Sequence, residues 1–143
     1  MATVLRLTRT FAAPRERVFR AWTEPAALAR WWIPQPGYTL PRAEIDLRVG
    51  GRYRLTMRDP AGHEFALVGA YREVHAPERL VYTWCWEETA SDAAETLVTV
   101  EFHARATTTE VVLTHERFSD AAACARHREG WSGCLEHLEE VLT

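Results

Sequence analysis

Hydrophobic and polar residues alternate along most of the chain, which is typical of β-strands that have one buried face. The clearest case is the segment 79–87, in which Leu80, Tyr82, Trp84 and Trp86 share one face. Short turn-like segments such as Gly50-Gly51 separate the alternating stretches after residue 41, and no helical pattern lies between those stretches. The pattern predicts seven antiparallel strands, at 4–11, 42–49, 52–58, 63–74, 79–87, 96–104 and 109–116.

Helical periodicity is strongest at the end of the chain. Residues 119–143 carry apolar positions every three or four residues, which predicts one long helix with a buried face. Those positions are Cys124, His127 (marginally apolar), Trp131, Cys134, Leu135, Leu138 and Leu142. Such a helix is long enough to lie across the predicted sheet and cover a hydrophobic interior.

Two short helices are predicted between the first and second strands. Pro14 opens the first of them, where its missing N–H costs nothing, and the second covers 24–32. Three prolines and a glycine make 33–41 a loop. A polar loop at 88–94 is expected to be the most mobile part of the middle of the chain.

Length and composition narrow the class of protein. A chain of 143 residues with a net charge of −3 fits one domain, 1–143, and no polyanion-binding surface is implied, so nucleic acid is not an expected partner. The 17 basic residues are all arginine, which excludes a Schiff-base lysine. Three cysteines without a C-x-x-C pair indicate reduced thiols. Neither a signal peptide nor an apolar run of bilayer length is visible, so we expect a cytoplasmic protein without membrane insertion.

Several segments, in this order along the chain, resemble the bacterial family homologous to the activator of the heat-shock-protein-90 ATPase. They are F-A-A-P-R-E-R-V-F-R-A-W-T (11–23), A-R-W-W-I-P (29–34), E-I-D-L-R-V-G-G-R-Y-R (44–54), G-A-Y-R-E-V-H-A-P-E-R-L-V-Y-T-W (69–84), V-V-L-T-H-E-R-F (111–118) and G-W-S-G-C-L-E-H-L (130–138).

This resemblance implies a START-like (SRPBCC) helix-grip fold of the α+β class, in which a curved seven-stranded antiparallel sheet wraps around the long C-terminal helix. It also implies a cavity between sheet and helix. Other branches of that superfamily bind lipids, hormones or polyketides, and a few are cyclases. The family itself does not imply one particular activity.

The inward face of the predicted sheet is rich in aromatic rings, so our first hypothesis is a binding protein for a small hydrophobic or aromatic molecule. The alternative reading is that the rings only fill the core. We favour core packing for Trp22 and Trp131 and leave both readings open for Trp84 and Trp86. The predicted ligand contacts are Tyr53, Phe65, Tyr82, Trp84, Trp86, Leu113, His115, His127 and Trp131.

A second hypothesis is an enzyme of cyclase or hydrolase type that uses a cavity histidine. His115 is predicted to face inward near a strand end, and His127 lies on the helix side that faces the sheet. Both are also compatible with structural, hydrogen-bonded histidines, which we consider the better reading. No metal or cofactor is predicted, because the Cys and His residues do not cluster and no phosphate-binding glycine motif is present.

A third hypothesis is an interaction module, such as a chaperone partner or a homodimer. It predicts a large apolar patch on the outer sheet face, whereas the outward residues are mostly Arg, Thr and Glu. Asp46 and Arg48 are predicted on one side of the second strand, together with Glu44. We favour a cross-strand ion pair on the outer sheet face, with Arg52 or Arg54, over an inward pair that orients a polar group of a ligand. A dimer through the helix or an edge strand stays open.

Overall fold

A computed structural model describes residues 3–89 and 95–142, and it shows a seven-stranded antiparallel sheet with three α-helices packed against it. The strand order across the sheet is β1-β7-β6-β5-β4-β3-β2. The elements are β1 (Leu5–Phe11), α1 (Arg15–Thr23), α2 (Pro25–Leu28), β2 (Thr39–Ile45), β3 (Arg52–Arg58), β4 (Glu64–His75), β5 (Arg79–Trp86), a 3₁₀ turn (Glu87–Thr89), β6 (Thr96–Arg105), β7 (Thr108–Glu116) and α3 (Ala121–Leu142).

The helix-grip α+β fold predicted from the sequence is confirmed, with two short helices after the first strand and one long helix at the end. Residues 90–94, which hold most of the predicted mobile loop, lie outside the described residues. None of the described helices is long and apolar enough to cross a bilayer.

Both ends of α3 are fixed by side chains. The N–H of Ala123 donates to Oδ1 of Asp120 over 2.7 Å, so the helix begins after Asp120 instead of at Ser119. At the other end the guanidinium of Arg17 donates to the carbonyl oxygens of Val141 and Leu142, both at 3.5 Å. The first short helix therefore holds the last turn of the long one.

The second strand lies three to four residues earlier than predicted. It covers Thr39–Ile45, and a register irregularity between Thr39 and Arg42 accommodates Pro41, which has no N–H to donate. Asp46 and Arg48 consequently lie in the turn that follows, where their exposed side chains form an ion pair of 2.9 Å with each other. Their predicted placement on a strand face, in a cross-strand pair, is wrong.

The outer face of β5 is buried, although the alternation of its sequence predicted that this face would be exposed to solvent. Val81, Thr83 and Cys85 are at most 7% exposed, because β5 is the central strand of the sheet. Ion pairs of Arg79 with Glu73 and Glu101 lie beside them. Among the described residues the exposed large hydrophobic side chains are Val4, Leu47 and Val49, and none belongs to a strand. The outer face therefore carries charge instead of an apolar patch.

Candidate functional site

A cavity of about 560 Å³ lies between α3, the sheet and the loop that follows α2. Its floor is buried and its rim is exposed, so the space is open to solvent at one side. The floor consists of Trp32, Met57, Trp84, Thr96, Phe118, Trp131 and Cys134. The partly buried walls are Pro34, Tyr38, Phe65, Trp86, Ala123, His127 and Gly130, and the rim is Gln35, Arg117, Ser119 and Arg126.

Period-two and helical spacing bring these side chains together. Trp84 and Trp86 are two residues apart on β5 and so share a face, and Thr96 lies opposite Trp84 on β6. The helix contributes positions three or four apart, of which Trp131 and Cys134 are fully inside. The site is therefore built on regular elements, except at its rim.

His115 lies directly behind the cavity floor and is completely buried. The indole N–H of Trp131 donates to its Nδ1 over 3.1 Å, so the proton of the neutral ring is on Nε2. Nε2–H then donates to the Thr96 hydroxyl at 2.7 Å, and that hydroxyl donates to the carbonyl oxygen of Trp84 at 3.1 Å. Burial and the neighbouring His127 lower the pKa of His115 to about 2, so the ring stays neutral.

His127 forms part of the cavity wall. Its Nδ1 donates to the carbonyl oxygen of Ala123 over 2.7 Å, which leaves Nε2 as the acceptor for the indole N–H of Trp86 at 3.3 Å. Burial lowers its pKa from the usual value for histidine. Both histidines are therefore neutral at physiological pH, and both ring nitrogens of each already have a partner.

Trp84 lies at the centre of the aromatic cluster. Its ring centroid is 4.8 Å from that of His115, 5.3 Å from that of Trp131 and 5.7 Å from that of Trp32. Its indole N–H is buried, and within the described part of the chain no acceptor pairs with it. Buried N–H groups normally have a partner, so this one is available to an acceptor that the protein does not supply.

The structure separates the nine predicted contact residues into two groups. Phe65, Trp84, Trp86, His127 and Trp131 line the cavity. The other four, Tyr53, Tyr82, Leu113 and His115, do not reach its wall. Leu113 and His115 are completely buried in the core.

The two tyrosines belong to a separate cleft of about 20 Å³ between the sheet and the short helices. The Tyr53 hydroxyl donates to the carbonyl oxygen of Thr83 over 2.6 Å, and the Tyr82 hydroxyl accepts from the indole of Trp22 over 3.3 Å. Burial raises the pKa of both phenols. The bond between Tyr82 and Trp22 joins the sheet to α1, whereas the bond of Tyr53 joins two strands of the sheet, β3 and β5.

Sequence reasoning missed the residues that the loop after α2 and the turn after β7 bring to the cavity. A usable signal was the pair Gly130 and Gly133, three residues apart on one helix face. The backbone of Pro34 approaches α3 so closely that a Cβ on Gly133 would collide with the Pro34 carbonyl oxygen. Two glycines at that spacing indicate that another segment crosses the helix there.

The cavity holds no activated nucleophile among its described residues. Cys134 reaches the floor, but burial raises the pKa of its thiol, and a protonated thiol is a poor nucleophile. All three cysteines are free. Across the residues with described positions, no group of three or more Cys, His, Asp or Glu side chains could hold a metal ion.

An antiparallel sheet closed by a C-terminal helix around a cavity defines a helix-grip protein. The family described as activator of Hsp90 ATPase homolog 1-like protein matches residues 12–143, and the chain belongs to that family. No protein with a curated description matches the chain.

Solved structures of bacterial proteins show the same fold over the whole chain. A protein of Chromobacterium violaceum is 29% identical, with a TM-score of 0.86, and the match covers 99% of this chain and 98% of that one. The AHSA1 protein of Silicibacter pomeroyi is 29% identical, with a TM-score of 0.83 and coverage of 97% and 96%. The AHSA1-like protein of Aeromonas hydrophila is 26% identical, with a TM-score of 0.74 and coverage of 95% and 90%.

Proposed function

We propose that this protein binds a small hydrophobic or aromatic molecule in the cavity between α3 and the sheet. The observation that carries the proposal is an open space of about 560 Å³ whose floor includes three indole rings, a phenyl ring and a thioether. Volumes of roughly 300–1,000 Å³ are typical of sites for small molecules. Apolar walls of this kind favour an apolar ligand because its burial removes hydrocarbon surface from water.

The aromatic walls also favour a flat ligand. Trp84 and Trp86 meet at 5.8 Å in an edge-to-face arrangement, and Phe65 lies 5.7 Å from Trp86. Such rings offer both faces and edges to an aromatic guest. The N–H of Trp84 can serve as a single polar contact, for a ligand oxygen or a water molecule that reaches the floor.

The other two hypotheses receive less support from the site. An acid–base enzyme requires a histidine with a free nitrogen at the wall. His115 lies behind the floor, and the Nε2 of His127 already accepts a hydrogen bond from Trp86. An interaction module requires an apolar surface, and the outer sheet face carries ion pairs such as Arg54 with Glu87.

A matched pair of helix variants tests the binding proposal. Ala123 lines the cavity, whereas Ala125 is exposed on the same helix and is not part of the wall. We expect methyl 2-naphthylacetate, a neutral aromatic ester, to bind the unaltered protein and Ala125→Phe equally in titration calorimetry. Ala123→Phe fills the cavity and should weaken that binding at least tenfold.

Thermal unfolding first establishes that both variants are folded. Equal binding by Ala123→Phe and Ala125→Phe would place the ligand outside the cavity and overturn the proposal. Absence of binding to the unaltered protein, for this ester and for a panel of neutral aromatic and aliphatic compounds, would also overturn it.

A further inference from the structure

Two arginines at the rim of the cavity have no ion-pair partner among the described residues. Arg117 and Arg126 are both exposed and both line the opening. Within residues 3–89 and 95–142, neither forms an ion pair with a carboxylate, whereas Arg54 and Arg79 on the sheet are paired. As far as the described residues show, the mouth of the cavity therefore carries two positive charges that no carboxylate neutralises.

Arg117 is held at this place by an unusual backbone. Its φ is +74°, in the left-handed region that a residue with a side chain occupies at a cost of about 1 kcal/mol, and that glycine occupies freely. The next residue, Phe118, is buried, and its ring lies 4.3 Å from that of His115 and 4.8 Å from that of His127. The core thus fixes the position of an arginine where glycine would be less strained, a pattern that often marks a functional position.

The remaining rim groups do not cancel these charges. Ser119 and Gln35 are neutral and can donate hydrogen bonds. His127 in the wall is neutral as well. The described carboxylates nearest in sequence are Glu116 and Asp120 beside Arg117 and Glu129 beside Arg126, and none of the three forms an ion pair with either arginine. That of Asp120 accepts the N–H of Ala123 at the start of α3.

We infer that the ligand is a hydrophobic acid, whose apolar body occupies the cavity and whose carboxylate lies at the mouth between Arg117 and Arg126. This inference rests on the proposed function. Guanidinium groups pair with carboxylates through charge-assisted hydrogen bonds, and two of them can share one carboxylate. Because the rim is exposed, the acid group keeps water on one side and avoids the large cost of burying a charge.

Three ligands with one ring system separate the two claims. They are 2-naphthylacetate, its methyl ester and 2-(2-naphthyl)ethylamine, which place a negative, a neutral and a positive group on the same apolar body. Titration calorimetry at low salt should give the acid about tenfold tighter binding than the ester, which corresponds to about 1.4 kcal/mol. The amine should bind more weakly than the ester.

The double variant Arg117→Gly, Arg126→Gln removes both rim charges and relieves the strained backbone, so it should remain folded. We expect the ratio between its affinities for the acid and for the ester to fall from about ten to about one. Arg128→Gln is the control, since Arg128 is exposed on α3 but does not line the cavity. It should keep the preference for the acid.

The outcomes distinguish the inference from the function on which it rests. If the ester or the amine binds the unaltered protein as tightly as the acid, or if the double variant retains the preference, the acid inference is overturned and the hydrophobic site stands. If none of the three ligands binds, the acid inference is overturned, and the proposed function fails with it when the panel of neutral compounds does not bind either.

Discussion

The indole N–H of Trp131 on α3 donates a hydrogen bond of 3.1 Å to Nδ1 of His115 on β7, so a polar contact joins helix and sheet inside an apolar core. His115 in turn donates a hydrogen bond to the Thr96 hydroxyl, which donates to the backbone carbonyl oxygen of Trp84. All of these groups are buried, and an unpaired group in such a place costs free energy. This series of hydrogen bonds therefore fixes the position of α3 over the cavity floor.

Replacing Trp131 by Phe should cost more stability than replacing Trp84 by Phe. Both changes remove the same atoms from a buried site, but only Trp131→Phe leaves an acceptor, Nδ1 of His115, without its donor. We expect the free energy of unfolding to fall by about 1–2 kcal/mol more for Trp131→Phe. Urea unfolding at pH 7 measures both, and equal losses would show that the hydrogen bond does not stabilise the fold.

The buried histidine makes stability fall as the pH falls. The pKa of His115 is about 2 in the folded protein, below its usual 6.5, so between these values the unfolded chain binds a proton that the folded protein does not. The free energy of unfolding therefore keeps its full value above pH 6.5 and falls progressively as the pH drops below 6.5. For one such group the loss from pH 7 to pH 5 is about 2 kcal/mol.

Unfolding in urea at several pH values checks this, with His115→Asn as the comparison. Asparagine does not titrate, so the variant should lose less stability between pH 7 and pH 5, although it starts from a lower value. His127, whose pKa is also lowered, contributes to the slope in both proteins. The same slope in both proteins would contradict the assignment of the titrating group to His115.

Strong periodicity bounded by turn residues predicted local structure well. The strand at 52–58 is confirmed to the residue, because its alternation ends at Gly50-Gly51 on one side and Asp59-Pro60 on the other. The prediction failed at Pro41, where a bulge lets an edge strand include a proline. The prediction of a solvent-exposed outer face also failed at Cys85, which is buried. The position of a strand in the sheet, and not the alternation of its sequence, decides the solvent exposure of its outer face.

The cavity was harder to predict than the fold. Five of the nine predicted contact residues line it, and these lie on strands or on α3, where spacing determines direction. Gln35, Arg117 and Ser119 come from connections, in which no period reports the direction of a side chain. Tyr53 and Tyr82 face inward as the alternation indicates, but the inward face is longer than the cavity, and they fill its other end.

Two glycines on α3 should respond to alanine in opposite directions. A Cβ on Gly130 would lie 3.6 Å from Cβ of Pro34, an ordinary contact, and alanine favours the helix by about 1 kcal/mol. A Cβ on Gly133 would collide with the carbonyl oxygen of Pro34, which is backbone and cannot rotate away. We expect Gly130→Ala to raise the midpoint of thermal unfolding and Gly133→Ala to lower it. A rise for both would show that the loop over α3 moves freely.

Replacing Arg117 by glycine should raise the stability of the protein while it weakens the binding of an acid. Arg117 and Ala106 both have positive φ, at +74° and +42°, and Ala106 lies in the turn between β6 and β7, away from the cavity lining. Glycine at either position removes the strain but adds freedom to the unfolded chain, so each variant should gain up to about 1 kcal/mol in urea unfolding. Only Arg117→Gly should also weaken binding of 2-naphthylacetate, because only that change removes a charge from the rim. A stability loss in Arg117→Gly alone would mean that its side chain supports the fold, and unchanged acid binding would remove Arg117 from the site.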